Sequence, residues 1–123
     1  SVSVKEVDPN DRWTLGTGWS ISGGKAVSAG DSTHSLLTQT LSLPAGQYEV
    51  SLSATVTSGS FSIQAQGSGT DTGAVIDSSG AHTEIFTTTA NRSTFSIRSN
   101  DGNGVGSIDN VTVTEYAITP KSV

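Results

Sequence analysis

The chain has 123 residues, the size of one domain built on one core. Ser (21), Thr (17) and Gly (14) dominate, hydrophobic residues are 33% and charged side chains only 14%, so the core must be thin and the surface rich in hydroxyls. The net charge is −5, and the six cations Lys5, Arg12, Lys25, Arg92, Arg98 and Lys121 are scattered. That distribution excludes the basic footprint that nucleic acid requires. With no cysteine, a disulfide framework, a thiolate metal site and a Cys nucleophile are excluded as well. No apolar run is long enough for a transmembrane helix or an intact secretory signal, so neither nucleic acid nor membrane is expected as a partner.

Apolar residues recur with period two, bounded by Gly, Asn, Asp or Pro, and no helical period runs to a useful length. In chain order, the pattern predicts strands over 2–7, 19–22 and 25–28, the last two joined by a tight hairpin at Ser22-Gly23-Gly24-Lys25. A strand over 35–43 leads into a Pro-initiated turn, Leu43-Pro44-Ala45-Gly46. The clearest alternation follows, with Tyr48, Val50, Leu52, Ala54 and Val56 on one face and Glu49, Ser51, Ser53 and Thr55 on the other. Phe61, Ile63 and Ala65 then alternate with Ser60, Ser62, Gln64 and Gln66. A Gly- and Thr-rich loop is expected over 67–73, then strands over 74–77 and 83–89. Phe95 and Ile97 alternate with Thr94, Ser96 and Arg98. A second loop spans 100–106, with Asn103-Gly104 at a candidate type I′ position, before a last strand over 108–116. These ten short strands predict an all-β chain, a two-sheet antiparallel sandwich in one domain over 1–123. The apolar residues of the terminal segments 1–7 and 117–123 have no place in that sandwich and are candidate partner-binding surfaces.

The opening Arg12-Trp13-Thr14-Leu15-Gly16-Thr17-Gly18-Trp19-Ser20-Ile21-Ser22-Gly23-Gly24-Lys25-Ala26 is followed by three further segments. They are Leu36-Leu37-Thr38-Gln39-Thr40-Leu41, Leu43-Pro44-Ala45-Gly46-Gln47-Tyr48-Glu49-Val50-Ser51 and Ser107-Ile108-Asp109-Asn110-Val111-Thr112-Val113. In this order they resemble the carbohydrate-binding-module-like, galactose-binding-like jelly rolls of secreted glycoside hydrolases and phage virion surface proteins. The resemblance implies a jelly roll whose concave face can hold an extended glycan, and places Gln64, Gln66 and Arg98 there. It also implies one structural calcium ion between the start of the chain and Asp109, with Asn10 and Asp11 as further ligands, since calcium takes six to eight oxygens. The other reading of Asp109 is a carboxylate bonded to backbone amides at a bulge. The segment 7–11 departs from the usual start of such domains, and 67–81 has no motif of theirs.

Sugars are bound by aromatic faces for stacking and by amides and carboxylates for the hydroxyls. Phe61, Phe95 and Tyr48 lie on the apolar parity of their strands, which leaves Trp13, Trp19, Phe86 and Tyr116 for a platform. Trp19 heads an apolar alternation with Ile21 and is expected to be buried, so Trp13 joins Gln64, Gln66 and Arg98 as the candidate carbohydrate-binding set. Catalytic patterns are missing. No Gly-x-Ser-x-Gly elbow or phosphate-binding loop occurs, His34 and His82 have no metal partner at a ligating spacing, and no pair of carboxylates stands out for glycoside hydrolysis. The expected function is therefore non-enzymatic. The first reading is a phage virion surface protein, a capsid decoration or tail-fibre jelly roll on the virion surface, whose partners are other virion proteins or copies of itself as a homo-oligomer. The alternative is a secreted, extracellular carbohydrate-binding module of a polysaccharide-degrading enzyme.

Overall fold

The computed structural model describes residues 13–30, 35–100 and 103–116. The expected strand over 2–7, the terminal segments 1–7 and 117–123, and His34 lie outside the described residues. The strands are β1 (Thr14–Leu15), β2 (Trp19–Ser22), β3 (Lys25–Ser28), β4 (Ser35–Leu43), β5 (Gly46–Ser58), β6 (Phe61–Gly67), β7 (Thr70–Ile76), β8 (Gly80–Thr88), β9 (Arg92–Ser99) and β10 (Val105–Glu115). They form two antiparallel five-stranded sheets, in the orders β1-β4-β9-β6-β7 and β2-β3-β10-β5-β8, the two-sheet sandwich that the alternation predicts and the jelly roll that the resemblance implies.

The inward parity of both sheets makes one core. Leu37, Phe61, Ile63, Ala65, Phe95 and Ile97 of the first sheet face Tyr48, Val50, Leu52, Phe86, Ile108 and Val113 of the second. The Tyr48 hydroxyl donates to the Pro44 carbonyl, and burial, then the Glu115 carboxylate, push this phenol above its ordinary range, so it stays a donor. At one end of the sandwich the sheets are tied together by hydroxyls. The Gly104 carbonyl accepts from Ser28 Oγ of β3 at 2.6 Å and from Ser99 Oγ of β9 at 3.3 Å, while the Gly104 amide donates to Ser99 Oγ at 2.9 Å.

The turn chemistry explains most of the connections. Gly23 and Gly24 sit at φ 59° and 76°, the two left-handed positions of a type I′ hairpin. Asn103-Gly104 is different from its expectation, because neither residue takes a left-handed backbone. Glycine is needed there for proximity instead: a Cβ on Gly104 would lie 2.6 Å from the Ser60 carbonyl oxygen. The expected loop over 67–73 is mostly strand, since β7 begins at Thr70. As an edge strand it buries only Ile76 completely, so no apolar alternation was required to make it.

Candidate functional site

On β4, β9, β6 and β7 the residues that alternate with the core point away from it. Register arranges them in rows across the sheet: Leu36, Arg98, Ser62 and Val75 in one, Thr38, Ser96, Gln64 and Thr72 in the next, and Thr40, Thr94, Gln66 and Thr70 in the third. An outward row should be wet, yet Ser62, Gln64 and Ser96 are only 2%, 4% and 0% exposed. Their neighbours' side chains cover them, through hydrogen bonds made within the face.

Gln64 Nε2 donates to Thr72 Oγ1 at 3.0 Å, and Gln64 Oε1 accepts from Gln66 Nε2 at 2.9 Å. Gln66 Oε1 in turn accepts from Ser96 Oγ at 2.9 Å. This chain fixes both amide orientations. Beside it, Asn100 Oδ1 accepts from Ser62 Oγ at 2.9 Å and from Arg98 Nε at 3.1 Å, while its Nδ2 donates to Ser60 Oγ at 3.0 Å. The Asn100 backbone amide donates to the Ser60 carbonyl at 3.0 Å, which holds the whole residue in place. Each glutamine amide keeps one N–H that these bonds do not use, and the terminal nitrogens of Arg98 have no partner among the described residues. The half-exposed Gln66 and Arg98 and the exposed Thr72 are the groups within reach of a ligand. Gln64, almost fully covered, positions them.

Thus three members of the candidate set, Gln64, Gln66 and Arg98, share one face. Trp13 does not join them. It packs against the core cluster, edge-on to Phe95 with ring centroids 6.4 Å apart, and Phe95 points inward from the strand whose Ser96 and Arg98 point outward. Trp13 thus lies apart from the three polar members of the set, half-buried against the core ring of Phe95. Phe86 is also core, at 1% exposed, and Trp19 is buried against Phe61. Tyr116 is exposed, but follows β10 of the other sheet. Sequence reasoning missed Thr72, which fell in an expected loop, and Asn100, whose role comes from a long-range contact with Ser60.

The metal expectation has one described residue. Asn10 and Asp11 lie outside the described residues, and Asp109 sits on β10, where two residues, Asn110 and Val111, stand against the single Leu52 of β5 between the pair Asp109–Ser53 and the pair Thr112–Ser51. Its Oδ1 accepts the Asn110 amide at 2.8 Å, and Asn110 takes φ 53°, a left-handed conformation that Asn tolerates at a bulge. This is the bulge geometry that sequence offered as the second reading of Asp109. Among the described residues no three His, Cys, Asp or Glu side chains gather into a metal-binding group. Asp109 and Asn110 instead line a polar hollow of about 160 Å³ on the outer side of the second sheet, with Lys25, Ser53 and Ser107.

No family model matches the chain's sequence, and no curated protein matches it. Solved structures do match its fold. A variant of CBM29-2, studied for the mechanism of ligand recognition by family 29 carbohydrate binding modules, superposes with a TM-score of 0.71 at 13% identity, covering 98% of this chain and 99% of the other. Another mutant of a family 29 module gives 0.65 at 14% identity over 98% and 100% of the two chains. The mannan binding module from Man5C gives 0.54 at 12% identity over 85% and 93%. At such identities the likeness establishes the architecture, and the fold of this chain is that of the carbohydrate-binding-module-like jelly rolls.

Proposed function

We propose that the chain is a non-catalytic carbohydrate-binding module that holds a polysaccharide against the outer face of its first sheet. The observation that carries this reading is the hydrogen-bonded network of Thr72, Gln64, Gln66 and Ser96 beside the Asn100-held Arg98. Amides locked in orientation offer a donor and an acceptor at fixed spacing, which is what neighbouring sugar hydroxyls need. Because the side chains are ordered before the ligand arrives, binding does not incur the usual ordering cost of about 0.5–1.5 kcal/mol per immobilised side chain. The fold neighbours, modules named for carbohydrate and mannan binding, agree with this choice. A module of this kind works outside the cell, where polysaccharide is met. The virion-surface reading has no comparable observation behind it.

The test is a titration of the intact domain against a broad panel of polysaccharides, repeated with Gln66→Ala combined with Thr72→Ala and, on the opposite sheet, Ser53→Ala. We expect the double variant to lose about tenfold or more in affinity, as for one to two hydrogen bonds, with Ser53→Ala unchanged. Equal binding by all three proteins would move the site off this face.

A further inference from the structure

We infer that the polysaccharide taken by this face is anionic, a uronate-bearing chain whose carboxylate is received by Arg98. The inference deepens the reading above and rests on it. Of the side chains in the three outward rows only Arg98 is charged, and the salt bridge that the described residues form, Arg92 with Asp71, involves neither Arg98 nor any residue of those rows. Its Nε is taken up by Asn100 Oδ1, an uncharged acceptor that orients the guanidinium without neutralising it. A planar guanidinium held by Nε, with no partner for its terminal nitrogens among the described residues, matches a carboxylate in a bidentate pair.

A second observation points the same way. The stacking that usually anchors a neutral sugar has no aromatic partner in these rows, because Phe61, Phe86, Phe95 and Tyr48 are core and Trp13 packs on Phe95. Hydrogen bonds must then carry the affinity, and those to an ionised group are roughly twice as strong as neutral ones. Leu36 and the 55%-exposed Val75 close the two ends of the Arg98 row and give the sugar ring an apolar rest. Three of the chain's acids are kept away from Arg98. Glu49 and Asp109 lie on the outer side of the other sheet, across a core of about 10 Å and so beyond the screening length of about 8 Å at physiological salt, while Asp71 is paired with Arg92.

The experiment is calorimetric titration of the intact domain with polygalacturonate, polymannuronate and polyglucuronate, each beside its carboxyl-reduced, neutral counterpart, and with neutral mannan. At least one polyuronate should bind about tenfold or more tightly than its reduced counterpart, with an affinity that falls as salt is raised. Arg98→Gln should erase that preference without changing the unfolding temperature, and Arg98→Lys, which keeps the charge but not the fork, should restore part of it. Neutral polymers bound as well as or better than every polyuronate would overturn the anionic assignment and leave the face as the site. Failure of every polymer to bind would overturn both.

Discussion

The two outer faces of the sandwich share a five-stranded frame and a polar parity, and they use it differently. On the first sheet, Gln64 and Gln66 reach across and along the strands and bond to Thr72 and Ser96, so that outward residues are buried by one another. On the second, Ser51, Ser53, Thr55, Thr83, Ser107 and Thr112 are half-buried or exposed. Their hydroxyls are too short to span strands about 4.8 Å apart except where two meet directly, as Ser51 and Thr83 do at 3.3 Å. Short hydroxyls leave a face hydrated and adaptable, whereas long amides leave it ordered and specific. Burial on the outward parity is therefore the sign that separates the proposed binding face from a merely soluble one.

Strand β9 gives the most severe test, because it carries core and face on adjacent residues. Phe95→Ala should cost about 3–5 kcal/mol, a large part of the stability of a domain this size, and should be read from the urea midpoint at unchanged slope. It should also remove the aromatic contact of Trp13 and shift the tryptophan emission. A small loss would mean that the inward parity is wrongly assigned and that the two faces of β9 exchange roles. A sharper contrast comes from polar truncations. Gln64→Ala takes the acceptor from Gln66 Nε2 and the donor from Thr72 Oγ1 in a covered site, for an expected loss of about 1–3 kcal/mol. Ser53→Ala on the other sheet should stay within about 0.5 kcal/mol. Equal losses would dissolve the distinction between an ordered face and a hydrated one.

Parity was legible wherever one face of a strand is apolar: Tyr48 to Val56, Phe61 to Ala65 and Phe95 to Ile97 placed the core and put Gln64, Gln66 and Arg98 together on the opposite side. Strand β7 was legible only at its end, as the strand expected over 74–77, since an edge strand with one fully buried residue carries little periodic signal. The fate of Trp13 was not legible, since it depends on a ring 82 positions away in sequence and on no local pattern. Asn100 is the same case. Its loop composition signals a turn, but its orientation is set by Ser60 and Ser62 on a strand and turn that only the fold brings near. The network itself was hidden because alternation says which way a side chain points and not what it meets there.

The last and smallest effect concerns how the ordered face is closed at one end, where Asp71 of β7 clasps the turn before β9. Asp71 Oδ2 accepts from Arg92 Nε at 2.8 Å and from the Thr89 amide at 2.9 Å, and Oδ1 accepts from Thr89 Oγ1 at 2.9 Å. The Arg92 hydrogen bond, then that from the Thr89 amide, hold the Asp71 carboxyl down at about 2, below its ordinary 3.8. A depressed carboxyl pKa means that the folded chain prefers the ionised form, so the clasp contributes fully above about pH 4 and is lost as pH falls toward 2. The unfolding temperature of the wild type should therefore exceed that of Asp71→Asn at pH 6, and the gap should close between pH 4 and pH 2. Solvent screening keeps this gap below the cost of Gln64→Ala. Since the Arg92 guanidinium also lies beside Gly69, 3.1 Å from where a Cβ would stand, the β6–β7 turn should loosen over the same pH range, and amide exchange at 67–70 would report it. A gap that stays constant with pH would show that Asp71 acts through packing and not through its charge.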